Sequence, residues 1–324
     1  MSRDYCACIR TLGKAAEKYQ TLLNSLKQQT IQPKKILVYI PHGYDLPKET
    51  IGVEQYIRCE KGMVHQRALP FDEVDTEWIL FLDDDLYIPA DGVEKLFIGI
   101  EENDGDCISP DVFPTQKLPL MGKFRAMMCF TFPRRSDHWA FKLWKNGSYT
   151  YNINPSKSVL QSQSAAGPCF LMKKYVYQAI HFEDECWMDP FKYCIGEDMM
   201  MAYKIHMMGY RLLVHYTTGI IHLDAGSSRI NNSSERYLLT QTVWFILWYR
   251  AFFNLKNATW KSKSLALTSY SIRECWSFIF GAIPRSLKYR NFDSIWFFFK
   301  KYKNGYDYVH SEEYKKIPYY DEYK

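Results

Sequence analysis

The chain has 324 residues and a formal net charge of +5; 47% of its residues are hydrophobic and 24% are charged. That is enough apolar material for one large domain with an appendage, or for two small domains, at the charge content of an ordinary globular protein. The net charge is too small to argue for a nucleic-acid partner, and no run reaches the roughly 20 apolar residues of a membrane-spanning helix.

The chain opens on Arg3, Asp4 and Arg10, without an apolar stretch of signal-peptide length. Its nine cysteines are odd in number and lack zinc spacing, so they read as reduced, mostly buried thiols of a cytoplasmic protein. Tyr5 to Ile9 predicts a strand. From Lys14 the period becomes helical, with Tyr19, Leu22, Leu23 and Leu26 on one face, and Gln32-Pro33 closes the segment. Ile36 to Ile40 predicts a second strand. The apolar run Trp78 to Leu82 predicts a strand buried on both faces. Val93, Leu96, Phe97 and Ile100 mark the next helix. This alternation is the pattern of an α/β sheet with parallel strands.

Lys123 to Phe132 and Cys169 to Met172 are expected to be strands, with residues 133–163 between them as a long loop or insertion. Glu197 to Met208 predicts a helix stopped by Gly209. Arg211 to His215 and Gly219 to Leu223 read as strand pieces. Composition shifts near Ser233. From there to about Arg290 the pattern is helical, with Ile272, Trp276, Ile279 and Ile283 on one face. Val243 to Tyr249 is the most apolar run, and Arg250 interrupts it. Between Phe253 and Gly305 ten Lys and Arg stand against only Glu274 and Asp293. The Tyr-rich tail after Tyr306 is expected to be mobile. The expected organisation is a catalytic domain over residues 1–232 and a basic, aromatic helical extension over 233–324.

The strongest chemical signal is Asp83-Asp84-Asp85, directly after the buried run. Three adjacent carboxylates repel one another and resist burial, so their place at the carboxyl end of a sheet strand suits a cation. Asp83 and Asp85 project to one side of an extended chain and could share one metal with its bound phosphates. Such oxygen ligands suit Mn2+ or Mg2+. The plain alternative is a solvated acidic turn before Pro89. Gly196-Glu197-Asp198 opens a helix, where acids also serve simply as caps. His222 follows Ile220-Ile221, where a histidine is commonly a packed core residue. An Asp-x-Asp phosphatase of the haloacid-dehalogenase kind is disfavoured, because its motif lies on the first strand and continues into Gly-Thr, whereas Leu86-Tyr87 follows here. The helical Asp-Asp-x-x-Asp of isoprenoid synthases fails at Tyr87.

In order and spacing, several segments resemble the family-two inverting glycosyltransferases of GT-A fold, over about residues 5 to 225. They are Cys8-Ile9-Arg10-Thr11-Leu12, the strand Lys35 to Ile40, Lys61-Gly62 with Gln66-Arg67-Ala68, the acid triplet, Gly167-Pro168-Cys169-Phe170, Glu197-Asp198 with Gly209-Tyr210-Arg211, and His222. The resemblance implies a Rossmann-like, mostly parallel sheet flanked by helices, and transfer of a sugar from a nucleotide-diphosphate donor to a hydroxyl of a glycan or lipid-linked acceptor, with inversion. It implies Asp85, Asp83 and His222 at the metal, and Thr11, Arg67, Asp83 and Asp84 on the donor side. Gly167 and Glu197 would border the acceptor, with Asp198 as catalytic base. One departure stands out: the family's second strand ends in Asp-Asp-Gly-Ser or a close variant, whereas here it runs Tyr39-Ile40-Pro41-His42-Gly43, so the base contact is altered.

The chemistry is complete with these groups. A carboxylate takes the acceptor proton and a metal offsets the charge of the departing diphosphate, so no Ser-His or Cys-His pair is needed. The rivals are a metal-dependent nucleotidyltransferase, whose Gly-rich basic loop Arg10-Thr11-Leu12-Gly13-Lys14 represents only poorly, and a catalytically silent sugar-nucleotide or glycan binder. The basic helices have three expected roles: packing back on the catalytic domain, lying on an anionic membrane at the inner face of the cell through residues 240–303, or contacting a second copy.

Overall fold

The structure is a computed structural model and describes residues 2–112, 120–128, 138–191, 196–223 and 234–324. In chain order the elements begin with β1 (Tyr5–Arg10), α1 (Glu17–Lys27), β2 (Lys35–Pro41), β3 (Glu54–Cys59), β4 (Trp78–Asp83), β5 (Leu86–Tyr87), α2 (Gly92–Asn103), β6 (Cys107–Pro110) and α3 (Leu120–Met128). There follow β7 (Phe141–Leu143), β8 (Tyr149–Tyr151), β9 (Val159–Gln161), β10 (Cys169–Lys173), α4 (Lys174–Ala179), α5 (Glu197–Met207), β11 (Leu212–His215) and β12 (Ile221–His222). The last part is helical: α6 (Ser234–Trp248), α7 (Trp260–Ser277), α8 (Ile283–Tyr289), α9 (Asp293–Val309) and α10 (Glu312–Lys315).

Eight strands form the central sheet in the order β3-β2-β1-β4-β10-β6-β11-β9. β1 to β4, β6 and β11 run one way, while β9 and β10 run against them. The sheet is therefore mostly parallel and flanked by helices, as expected, with a helical C-terminal part. Strand alternation explains the continuous apolar runs. Trp78, Leu80 and Leu82 face one core with α1 and α2, whereas Ile79 and Phe81 face the other. On α1, Tyr19, Leu22, Leu23 and Leu26 are buried, each worth roughly 1.5–3 kcal/mol relative to exposure.

Two expectations about secondary structure fail. Lys123 to Phe132 does not begin as a strand: residues 120–128 are helix α3, and residues 129–132 lie outside the described residues. An apolar segment of that length suits either element, and neighbouring structure decides. Within the segment read as a loop over 133–163, residues 133–137 lie outside the described residues, but β7 and β8 form a hairpin and β9 adds the sheet's last strand beside β11. These strands are three residues each, too short to show a period.

The basic helices pack onto the sheet's second face. Val243, Ile246, Leu247, Ala251, Tyr270 and Tyr314 share one core with Leu37, Phe81 and Met200. The tail expected to be mobile docks instead: Tyr320 is buried and its hydroxyl donates to the Met200 carbonyl at 2.7 Å. The seam is held by charge as well. Glu185, fully buried, accepts from Arg250 Nε at 2.7 Å and Nη2 at 2.9 Å, and lies 3.1 Å from Lys204 Nζ. The same guanidinium donates to the Pro318 carbonyl at 2.8 Å.

Candidate active site

The parallel strands β1 and β4 lie side by side with Arg10 opposite Asp83 in the register. Their carboxyl ends therefore deliver a guanidinium and the first acid of the triplet to one point. Arg10 grips Asp83 through both carboxylate oxygens, the Nη2 contact being 3.1 Å. Burial pushes the Asp83 carboxyl up, but the charges of Arg10 and Arg67 outweigh it and hold it below the usual range. Arg10 is a site residue that sequence reading passed over. It lies within the segments Cys8 to Leu12 and Arg10 to Lys14 without a role assigned there, and only strand pairing sets it against Asp83.

Asp84 turns to the loop after β1, where its Oδ2 accepts from Thr11 Oγ1 at 2.5 Å. Thr11 Oγ1 in turn accepts from the Gly13 amide at 2.8 Å, so the hydroxyl is fixed from both sides. Burial, with the neighbouring Asp85 and Asp83 charges, raises the Asp84 carboxyl to about 6 against the Thr11 hydrogen bond.

Asp85 meets His222. Strand β12 pairs antiparallel with β5, setting His222 opposite Leu86, and the Leu223 amide donates to the Asp85 carbonyl at 2.9 Å. The His222 Nε2 then lies 3.1 Å from Asp85 Oδ2. An oxygen and an imidazole nitrogen facing each other suit Mn2+ or a similar ion. Asp83 points instead to the two arginines. Among the described residues, its carboxylate does not join Asp85 and His222 in a set of ligand atoms within 4.8 Å.

Arg67 connects the acid triplet to α5. It is 5% exposed, and its Nη2 donates to the Gly167 carbonyl at 2.9 Å while lying 3.7 Å from Asp83 and 3.8 Å from Glu197. Its Nη1 is buried without a hydrogen-bond partner. Burial and the adjacent Arg10 charge lower its pKa against the three nearby acids. A buried donor left unpaired is costly, and an anion supplied by a ligand would satisfy it. Arg10, Arg67, Asp83, Gln66, Tyr39 and Gly167 line a cavity here, floored by Cys8 and Phe81.

Helix α5 begins at Gly196, whose φ of +112° favours glycine, and brings Glu197 and Asp198 to the same place. Asp198 is oriented by two backbone amides, Gly167 at 3.1 Å and Met199 at 2.7 Å. Burial and the Asp198 charge raise the Glu197 carboxyl. A side chain at position 167 would strike Arg67 Nη2 at 2.6 Å and Asp198 Cβ at 2.9 Å, so only glycine allows this approach. Of the residues expected from sequence, Arg67, Asp83, Gly167, Glu197 and Asp198 meet directly. Thr11 with Asp84 and His222 with Asp85 attach through the triplet.

Behind the site, Asp189 accepts from the amides of Val64 and His65, both at 2.9 Å, and from His65 Nδ1 at 2.5 Å. His65, Cys186 and Asp189 could together hold an ion. The hydrogen bonds already occupy Asp189, however, and burial pushes the Cys186 thiol up to about 12, away from the thiolate a metal needs. The cluster locks the turn that carries Arg67. Gly62 is required there, because a Cβ would enter the Asp189 carboxylate.

No protein-family model matches the chain, and no curated protein matches it. Among solved structures, it is similar to S. aureus TarS 1-349 in complex with UDP-GlcNAc, at 14% identity over 86% of this chain and 73% of that one, with a TM-score of 0.46. The S. aureus TarS structure of greater length matches at 13% identity over 85% of this chain and 43% of that one, with a TM-score of 0.47. GalNAc-T7 with UDP, GalNAc and Mn2+ matches at 12% identity over 89% of this chain and 58% of that one, with a TM-score of 0.47. These neighbours are glycosyltransferases. The residues of the site carry the functional reading.

Proposed function

We propose that the protein is a glycosyltransferase of GT-A type that moves a sugar from a nucleoside-diphosphate donor to an acceptor hydroxyl with inversion. The observation that carries this is the Arg67 bridge. One buried guanidinium, with a donor still unpaired, ties the acid triplet to the Glu197–Asp198 helix start. It places an anion-seeking group between two sets of carboxylates.

In this reading Asp198 takes the proton of the acceptor hydroxyl, held in position by the Gly167 and Met199 amides. The hydroxyl oxygen bonds to the anomeric carbon as the bond from that carbon to the phosphate oxygen breaks. Attack from the opposite face inverts the centre. Arg67 and Arg10 attract the diphosphate through their charge, and Thr11 with Asp84 and Asp83 shapes the nucleoside side. Asp85 and His222 would hold a divalent ion, which offsets the charge of the leaving diphosphate. Glu197 borders the acceptor, its carboxyl raised by burial and by the neighbouring Asp198 charge. Residues 1–232 would form the catalytic part and 233–324 the helical extension, with a glycan or lipid-linked molecule as acceptor. The proposed boundary falls outside the described residues.

The test is nucleoside-diphosphate release from a panel of nucleotide sugars, with Mn2+, with Mg2+ and with chelator, in the presence of candidate acceptors. The expected result is release that requires metal and is lost in Asp85→Ala and Asp198→Asn. Donor binding without turnover across a broad acceptor panel would count for a silent binder. Release of pyrophosphate would count for a nucleotidyltransferase.

A further inference from the structure

Helix α9 is more apolar than its packing requires. Its inward face is complete: Phe298, Lys301, Gly305 and Val309 are buried, with Lys301 Nζ 2.6 Å from Glu274 and Gly305 against Phe245. The outward face nevertheless carries Phe292, Trp296 and Phe299, at the i, i+4, i+7 spacing of one stripe. Phe292 is 81% exposed and Trp296 62%. Leu287 and Tyr289 at the end of α8 are also exposed, Leu287 at 74%. An ordinary surface helix is polar on its outer side, and scattered exposed apolar residues need no explanation, but a continuous aromatic stripe does.

The patch extends beyond the hairpin. Phe124 of α3 meets Phe280, just before α8, with ring centroids 5.9 Å apart, and α3 exposes Leu120, Met121 and Met127. Charge frames the apolar surface. Lys288 and Arg290 sit at the α8–α9 turn and Lys300 lies further along α9, all exposed, while Lys303 is paired with Asp307 at 2.6 Å. From residue 278 to 303 the only acid is Asp293. Aromatic tips ringed by lysine and arginine match an anionic lipid surface, where the rings enter the headgroup layer and the cations meet phosphate. Among the described residues no helix is long and apolar enough to cross a membrane, so the contact is to one face.

We infer that the α8–α9 hairpin, with Leu287, Tyr289, Phe292 and Trp296 at its tip and α3 beside it, docks the protein on an anionic membrane surface. Within residues 240–303 this places membrane contact at the α8–α9 tip. Helix α6 is committed to the core through Val243, Ile246 and Leu247. The inference stands apart from glycosyl transfer, because its readout needs no turnover.

The full chain is floated with vesicles of phosphatidylcholine alone and of phosphatidylcholine with phosphatidylglycerol. Phe292→Glu and Trp296→Glu are run beside it, together with Val53→Glu, an exposed apolar side chain on the loop before β3. The expected result is binding to the anionic vesicles that is at least about tenfold weaker on neutral ones and falls at least about tenfold in both hairpin variants. The melting midpoint should be unchanged throughout, and Val53→Glu should bind as wild type. Absence of binding to anionic vesicles overturns the inference, as does equal loss in Val53→Glu or undiminished binding of both hairpin variants. Light scattering that shows a homodimer dissociated by Phe292→Glu would assign the face to a second copy and overturn it as well.

Discussion

Two regions of this protein bury acids against arginines, and they do so to opposite ends. Among the C-terminal helices and where they meet the rest of the fold, Glu185 and Glu274 are enclosed. Glu185 has Arg250 on both oxygens, Lys204 beside it and the Trp187 indole donating at 2.7 Å. Glu274 has Arg273, Lys301 and Tyr302. Burial alone would raise both carboxyls, yet the paired cations bring each down to about 2. At the carboxyl ends of β1 and β4 the balance is left open. Asp84 is raised to about 6, Glu197 is raised by burial and Asp198, and Arg67 keeps a buried donor without a partner. Closed charge sets hold a fold, whereas open ones are costly in the free protein and gain partners when substrate arrives.

The largest effect is expected from breaking the closed set. Arg250→Met leaves Glu185 buried without its main partner and should cost about 3–5 kcal/mol in denaturant unfolding. The sign of the pH dependence follows from the same pair. A carboxyl held down in the fold contributes stability above its unfolded pKa and loses it as pH falls toward the folded value. The melting midpoint should therefore drop steeply from about pH 4.5 toward 2, and Arg250→Met should flatten that drop. Next comes the open set. Asp198→Asn should cut turnover by about a thousandfold, close to 4 kcal/mol of barrier, with melting unchanged. Equal damage to stability and turnover would erase the distinction between the regions. Gly167→Ala should move Arg67 and cost about 1–3 kcal/mol of stability, with weaker donor binding by calorimetry. The smallest effect is expected from Thr11→Val, which removes one hydroxyl from Asp84 and should weaken donor binding by about 1 kcal/mol.

Much of this was legible in the sequence, for physical reasons. Trp78 to Leu82 read as a doubly buried strand, and the acids after it follow at its carboxyl end. Gly196, Glu197 and Asp198 announced a helix start. Arg10 was not legible, because its role exists only through the β1–β4 register. Asp83 was expected at a metal, yet its carboxylate faces two guanidiniums, which no spacing rule could show. The three-residue strands β7 to β9 carry too few side chains to display a period. The face shared by Ile272, Trp276, Ile279 and Ile283 is not the buried one. Ile272 and Ile279 are exposed, while Ala266, Tyr270 and Glu274 form the buried face of α7. A buried glutamate with three partners outweighs simple hydrophobic patterning there.

We propose that the open charge set at the ends of β1 and β4 receives a metal-bound nucleoside diphosphate. Thermal melting with Mn2+, with nucleoside diphosphate and with both together tests it most directly, in wild type and in Asp85→Ala. The expected result is a rise in midpoint that needs both ligands and disappears in Asp85→Ala, because only the folded site binds them. No rise with any nucleotide, or the same rise in Asp85→Ala, would contradict it.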